Sequence, residues 1–216
     1  MTGDLLLALQ LGDSAYPSGA FGFSWGLEGA AADGHVDRAS FTDWLAVEML
    51  QRWARFDNPV LTGAWDRMGD ALLEWDCQAD LLFWAEPVRR HSMEAGAAFL
   101  AAASRLEVNA ARGLLVATDR DQAHGHLPVA QGAVYAELGL PLDHALATSA
   151  YAAAQGVVSA AIRLGLISAF DGQRALADLR PALIEAARPC SDPPAAFAPI
   201  SEIAMLRPGD GRLFVN

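Results

Sequence analysis

Two histidines and two serines are the residues of this 216-residue sequence whose type and setting could support chemistry. His124 and His126 form an H-x-H pair, a combination found in metal sites, but they fall on a predicted polar loop with no third ligand nearby in the sequence. Ser18 and Ser24 lie among glycines, yet a nucleophile elbow requires a strand before the serine, and the sequence predicts none there. We therefore expect no catalytic residues and no metal ligands, and we interpret the two histidines as loop or helix-start residues.

The basic residues narrow the possible functions further, because all 15 of them are arginine. Without a lysine, the chain has neither a Schiff-base amine nor the lysine with which a P-loop holds nucleotide phosphates. Any nucleotide in its function must therefore be bound by a partner. The 26 acidic residues give a formal net charge of −11, which argues against nucleic acid as a ligand, since phosphate binding requires a clustered basic surface.

The overall composition predicts one cytoplasmic domain. Hydrophobic residues make up 53% of the chain, which is enough for a sizeable core. No apolar run reaches the length of about 18 residues that a membrane span needs, and no basic region precedes Leu5, so we expect neither a membrane span nor a secretory signal. Cys77 and Cys190 are far apart in the sequence and have no histidine at ligand spacing, so we expect both to be reduced.

One segment, DSAYPSGAFGFSWGLE at residues 13–28, must position the serines. It combines a proline and three glycines with four aromatic residues: Pro17, Gly19, Gly22 and Gly26 with Tyr16, Phe21, Phe23 and Trp25. Because a glycine inside a helix costs about 0.5 to 1 kcal/mol, this segment is not a plain helix. The residues indicate a shaped surface or a packed loop, and a pocket, a lid and an interface are all compatible with them.

The remaining residues predict alanine- and leucine-rich helices. Ser40 and Asp43 resemble a capping box, and Asn58-Pro59 interrupts the helix that follows. Pro181 is expected to kink the helix that Asp171-Gly172 introduces. The predicted helices cover residues 3–11, 24–34, 40–57, 59–68, 70–85, 87–106, 128–138, 142–170, a stretch after 172, and 199–207, with a polar loop at 118–127.

No stretch of the sequence alternates convincingly with period two. We therefore predict an all-α, single-domain helical bundle of roughly eight to ten helices with a glycine-rich N-terminal segment. The domain covers residues 1–216, and residues 207–216 are predicted to form a flexible C-terminal tail.

Two of these helices carry small residues four positions apart. Ser92 and Gly96 lie on one of them, and Ala152, Gly156 and Ala160 lie on the other. Small residues at this spacing let helices approach closely, either within the chain or at a subunit interface.

Arg163 lies in an otherwise apolar helix, with Thr148, Gln155 and Ser159 at helical spacing from it. A buried arginine would need a carboxylate or carbonyl partner along this polar stripe. The alternative is an arginine whose head group reaches the surface.

Six separate motifs follow one another along the chain. LQLGDSAYPSGAFGFSWGLE is similar to the signature LxLxDSxxPxGxFxHSxGLE, and RRHSMEAG is similar to R-x-x-S-x-x-x-G. GHLPVAQGAVYAELGLPL is similar to G-H-x-P-V-x-x-G-x-x-x-x-x-x-G, and SAAIRLGLI to S-A-x-x-R-L. FAPISEIA is similar to F-x-P-x-x-E-I-A, and RLFVN to a closing R-L-F. In this order, and over nearly the whole chain, the motifs resemble those of the urease accessory protein UreF family.

The resemblance implies a non-enzymatic, all-helical homodimer that acts as a chaperone in urease maturation. Members of the family bridge the accessory protein UreD, also called UreH, and the GTPase UreG, and the assembly docks on the urease apoprotein. The implied role is to regulate GTP-dependent nickel delivery; nickel passes through the assembled complex, and this chain binds no cofactor directly. The alternative is a helical enzyme or a small-ligand-binding module with its site at the Ser18–Glu28 loop.

The resemblance also implies partner-binding residues, motif by motif. The N-terminal signature places six residues on a partner-facing or dimer-centre surface: Pro17, Gly19, Phe21, Ser24, Gly26 and Glu28. The central motifs supply candidates for an inner polar path or for the surface that faces the GTPase: Gly125, His126, Gln131 and Arg163. The closing motif supplies a tail expected to order against UreD: Arg212, Leu213 and Phe214.

The chain departs from the family pattern in two places. Phe23 precedes Ser24 where the family often has a histidine, which argues against a nickel-handling role at that position. Before the closing R-L-F, LRPGDG spans a shorter interval than the His-Glu-containing stretch of the family, so the docking tail is either trimmed or binds differently.

Overall fold

The computed structural model describes residues 2–17 and 24–195, and every regular element in these ranges is a helix, which confirms the all-α prediction. The predicted helix at 199–207 and the tail lie outside the described residues. The elements are α1 (Thr2–Leu11), α2 (Leu27–Ala32), α3 (Phe41–Val47), a π-helix (Glu48–Asp57), α4 (Asn58–Trp65), α5 (Asp70–Asp80), α6 (Glu86–Arg105), α7 (Asn109–Asp119), α8 (Leu127–Glu137), α9 (Leu142–Arg163), α10 (Ala169–Asp178) and α11 (Arg180–Ala186).

Helix α8 lies at the centre of the fold, and all of its residues from Leu127 to Tyr135 are buried. It packs mainly against α4 and α6, and also touches α5, α7 and α9. Gly132 allows a close approach to α4, since a Cβ there would lie 2.5 Å from the Leu61 carbonyl oxygen. One hydrophobic core, with buried members from Leu11 to Ala186, joins these helices.

Helix α9 is long and apolar enough by composition to cross a membrane. However, 56% of its most apolar window is buried inside the protein. This degree of burial is typical of a core helix.

The expected interruption at Asn58-Pro59 is wrong. The chain passes from α3 through the π-helix into α4 without leaving helical geometry. Pro59 falls in the first turn of α4, just after the hydrogen-bond spacing changes, where a missing N–H is tolerated. Asn58 has a different role: its Nδ2 donates to the carbonyl oxygens of Ala186 and Arg188 at 2.8 and 2.7 Å, which ties the end of α11 to this junction.

The predicted capping box at Ser40 is also wrong, because Ser40 makes no side-chain cap for α3. Its hydroxyl instead donates to Asp37 Oδ1 at 2.7 Å. A capping box does occur at Ser168 and Asp171, where each side chain accepts a backbone N–H at 3.1 Å.

This capping box explains why the predicted helix at 142–170 is two helices. Helix α9 ends at Arg163, the chain turns at Gly165 with φ of 71°, and α10 begins at Ala169. Asp171-Gly172 therefore lies inside α10 and is not a turn. Pro181 lies in the first turn of α11 and does not kink a helix.

The two sets of small residues have different outcomes at their glycines. At Gly96 of α6, a Cβ would lie 1.9 Å from the carbonyl oxygen of Gly125, so the close approach is within the chain. At Gly156 of α9, a Cβ would meet nothing within 4 Å among the described residues. The prediction of close packing within the chain is confirmed at Gly96, whereas the described residues show no such contact at Gly156, and a subunit interface there stays a prediction.

Candidate functional site

The central motifs meet where the loop before α8 packs between α5 and α6. The carboxylate of Asp76, which is fully buried on α5, accepts the backbone N–H groups of three successive residues, His124, Gly125 and His126. The distances at Gly125 and His126 are 2.9 and 3.0 Å. Gly125 adopts φ of 72°, a left-handed conformation that turns successive N–H groups toward one anion.

Asp80 lies one turn after Asp76, on the same face of α5, and binds three side chains. Its Oδ1 accepts from Arg89 Nε at 2.6 Å and from His126 Nε2 at 2.9 Å, and its Oδ2 is 3.5 Å from His124 Nε2. Arg89 Nη2 is also 3.3 Å from His124 Nδ1. Because a guanidinium only donates, His124 Nδ1 is the acceptor, and the proton of this ring is on Nε2.

Burial and neighbouring charges shift the pKa values in this network. Burial lowers the pKa of His126 below its ordinary value, and the hydrogen bond to Asp80 and the charges of Asp76 and Asp80 oppose this only in part. Burial raises the pKa of Asp80, but hydrogen bonds from Arg89 and His126 more than offset it, so this pKa lies below its ordinary value. At neutral pH the network is a carboxylate paired with a guanidinium and with a neutral His126 imidazole.

The imidazole of His126 is held on both its edge and its face. It is fully buried, and Phe83 stacks on it with ring centroids 4.4 Å apart and planes at 19°. Phe56 packs its edge against Phe83 at 4.8 Å. His126 Nδ1 is buried and accepts no hydrogen bond from any described residue. This ring is therefore a packed core group and not a surface contact.

The R-x-x-S-x-x-x-G motif of α6 contacts the same loop through all three of its defined residues. Arg89 binds Asp80 and His124, Ser92 Oγ accepts the Leu127 N–H at 3.3 Å, and Gly96 leaves room for the Gly125 carbonyl. Two motifs that are about 35 residues apart in the sequence therefore form one packing junction.

The neighbours of the H-x-H pair are a carboxylate and a guanidinium. No group of three or more His, Cys, Asp or Glu side chains suited to a metal ion occurs among residues 2–17 and 24–195. The guanidinium of Arg89 occupies the position beside Asp80 where a cation would bind. Both histidines therefore contact Asp80 within an ion-pair network.

The N-terminal signature is described at its two ends only, since Gly19 and Phe21 lie outside the described residues. Pro17 is exposed, Ser24 is fully buried, and Glu28 is half-buried. Gly26 adopts φ of 80° directly before α2, a conformation that favours glycine. Of these four residues, Pro17 is the exposed one.

The remaining central candidates, Gln131 and Arg163, lie in different environments. Gln131 is buried, and its Oε1 accepts from Ser149 Oγ at 2.7 Å. Arg163 is exposed at the end of α9, so its side chain reaches the surface, and its role toward a partner stays a prediction. Gln155 and Ser159, from the predicted polar stripe, face a cavity.

This cavity has a volume of about 270 Å³ and lies beside Gln131, between the π-helix and α9. Its lining includes the ion pair Arg52–Asp57, whose atoms approach to 3.0 Å and whose side chains are 11% and 10% exposed. Neither histidine nor cysteine is among its described lining residues. The cavity has the polar groups of a binding site but no described imidazole or thiol that could serve as a base or a nucleophile.

Sequence reasoning missed Asp76 and Asp80, on which the whole junction depends. Their four-residue spacing is no signal by itself, because the exposed pair Asp70 and Glu74 of the same helix has it too. The partner-binding candidates Arg212, Leu213 and Phe214 lie outside the described residues, and their role stays a prediction.

Comparison with known proteins identifies relatives along most of the chain. Residues 35–180 match the UreF family. The urease accessory protein UreF of Cereibacter sphaeroides strain KD131 is 36% identical over 195 residues, which are 90% of this chain and 87% of the relative. The UreF of Paenarthrobacter aurescens strain TC1 is 33% identical over 217 residues, covering 96% and 95% of the two chains. The UreF of Haemophilus influenzae strain PittGG is 31% identical over 199 residues, covering 88% and 83%.

Proposed function

Because the chain belongs to the UreF family of urease accessory proteins, we propose that it is a non-catalytic adaptor in urease maturation. It bridges UreD and the GTPase UreG, works as a homodimer in the cytoplasm, and brings both partners to the urease apoprotein. In this assembly it regulates GTP-dependent nickel delivery. Nickel is the cargo of the complex, and the chain itself holds no cofactor.

The single observation that carries this proposal is the extent of the family match. It includes both motifs that form the junction around Asp76, and relatives named urease accessory protein UreF align over 88% or more of the chain. The absence of lysine supports the assignment of nucleotide binding to the GTPase UreG, because this chain lacks the lysine with which a P-loop holds nucleotide phosphates.

The non-catalytic part of the proposal is supported by how the ionisable groups near the motifs are used. Asp76 is occupied by backbone N–H groups, and Asp80 is shared by Arg89, His126 and His124. These bonds hold the loop and the ends of two helices in place. The motif residues Gly125, His126 and Gln131 act on partners indirectly, by fixing the surface above them.

The experiment that tests the proposal is co-purification with cognate UreD and UreG. With tagged UreD as bait, the chain and UreG should both be retained, and UreG should be lost when the chain is omitted. Retention of UreG without the chain, or retention of the chain without UreG, would contradict a bridging role.

The cavity beside Gln131 favours one second candidate, a small-ligand-binding module. Its volume of about 270 Å³ and its lining of Arg52, Asp57 and Gln131 suit a small polar molecule. A thermal-shift screen with small polar metabolites tests this reading. A ligand that raises the melting temperature of wild type but not of Gln131→Leu would support it, and equal shifts in both proteins would exclude this cavity.

A further inference from the structure

The connection between α5 and α6, residues 81–85, turns two apolar side chains outward and two inward. Leu81 is 83% exposed and Trp84 is 40% exposed. Leu82 and Phe83 pack inward against the core. Since the two outward residues are three positions apart, their Cα atoms are within about 11 Å of each other, so they belong to one surface feature.

This connection is held rigidly at its base and from within. The ion pair between Asp80 and Arg89 joins the two helix ends that flank it, with an N···O distance of 2.6 Å. Phe83 lies between His126 and Phe56, with centroid distances of 4.4 and 4.8 Å. An apolar protrusion that is already ordered loses little conformational entropy when a partner binds it.

The sequence on either side of the protrusion carries an excess of negative charge. From Met68 to Val88 the sequence has five carboxylates and no basic residue. Asp76 and Asp80 are used inside the junction, and the other three are exposed: Asp70, Glu74 and Glu86. Arg89, the next cation along the chain, is paired with Asp80 at 2.6 Å and with the exposed Glu86 at 3.5 Å.

We propose that Leu81 and Trp84 form a docking knob for a protein partner that offers an apolar pocket bordered by arginine or lysine. An exposed tryptophan beside an aliphatic residue is a frequent energetic centre of interfaces. The acidic border selects a basic partner surface and speeds its association. A second copy of this chain would bring the same negative surface, and an anionic membrane would be repelled.

The inference rests on the proposed function, because the partner is sought among the proteins of urease maturation. The test compares Kd values of wild type, the double variant Leu81→Ser/Trp84→Ala, and the control Phe170→Ala for purified UreD and UreG. Phe170 is 88% exposed on α10, so the control also removes an exposed aromatic ring. For one of the two partners, the double variant should bind about tenfold or more weakly, while the control binds as wild type does.

The charge of the border gives a second readout. The variant Glu74→Gln/Glu86→Gln should bind the same partner with a slower association rate and a weaker dependence on salt. Both variants should keep the melting temperature of wild type, because the changed side chains are exposed. If the double variant is less stable than wild type, the binding comparison is made with Leu81→Ser alone.

Three outcomes would overturn the inference. In the first, the variant used for the test binds both partners with wild-type affinity; this variant is the double variant, or Leu81→Ser alone if the double variant is less stable. In the second, light scattering shows a changed oligomeric state while the partner affinities stay the same, which would mean that the knob serves self-association. If wild type binds neither UreD nor UreG, the proposed function fails first and the inference fails with it.

Discussion

Replacing Gly96 by alanine tests the packing junction that joins the two central motifs. The new Cβ would lie 1.9 Å from the Gly125 carbonyl oxygen and 2.9 Å from the Leu127 nitrogen, whereas ordinary contact begins near 3.4 Å. Helix α6 and the loop must therefore separate by about 1.5 Å. Both atoms belong to the backbone, so no side-chain rotation relieves the overlap.

The expected loss of stability combines two opposing effects. Alanine improves helix propensity by about 1 kcal/mol, but overpacking costs about 1–3 kcal/mol. The displaced loop also weakens hydrogen bonds to the Asp76 carboxylate, which are worth about 1.5–3 kcal/mol each. We expect a net loss of about 3 kcal/mol, which corresponds to about 6–12 °C in melting temperature for a chain of this size.

The matched control is Gly113→Ala on α7. A Cβ there meets nothing within 4 Å, and the position is exposed. This variant should gain about 0.5–1 kcal/mol from reduced backbone entropy of the unfolded chain. Urea unfolding followed by circular dichroism measures both variants. If Gly96→Ala is as stable as Gly113→Ala, the close approach of α6 to the loop does not explain why position 96 is a glycine.

The remaining predictions concern the same junction and the partner surfaces. The folded-state pKa of His126 lies below its ordinary value of 6.5, so the unfolded chain binds a proton there more readily than the folded chain does. The contribution of this group to the free energy of unfolding is therefore fully present above about pH 6.5 and is lost as the pH drops below that value. His126→Gln should flatten this pH dependence in urea unfolding, and an unchanged slope would assign it to other groups. Asp76→Asn should lower the free energy of unfolding by about 1.5–3 kcal/mol, because an amide has one acceptor oxygen where the carboxylate uses two. If this variant is as stable as wild type, the three N–H groups have other acceptors. Deleting residues 207–216 should abolish UreD binding with little change in melting temperature, and a large drop in melting temperature would place the tail in the core.

Local sequence signals predicted the helices well where neighbouring residues decide the structure. Pro87 and Pro128 start helices in their first turn, and Gly139, with φ of 74°, follows the end of α8. The break at Asn58-Pro59 was predicted from local rules, yet α4 continues there because a π-helix changes the hydrogen-bond spacing just before the proline. The apolar pattern of a π-helix differs too little from that of an α-helix to reveal this in the sequence.

The candidate site was predictable only in part, because its contacts are long-range. The motifs drew attention to Gly125 and His126, but not to Asp76, which is 50 residues before His126 and binds its backbone N–H. Nothing local distinguishes that aspartate from the exposed carboxylates of α5. Several residues to which the resemblance assigned partner roles are buried, among them Ser24, His126 and Gln131. The exposed Leu81 and Trp84 of the adjoining loop belong to none of the six motifs.

The most direct test of the adaptor role is the mass of the complex that the chain forms with UreD and UreG together. Size-exclusion chromatography with light scattering should give a single species whose mass includes all three proteins, and this species should disappear when the chain is omitted. Separate binary complexes of the chain with UreD and with UreG, and no species with all three, would mean that the partners compete for one surface. That result would contradict the bridging function.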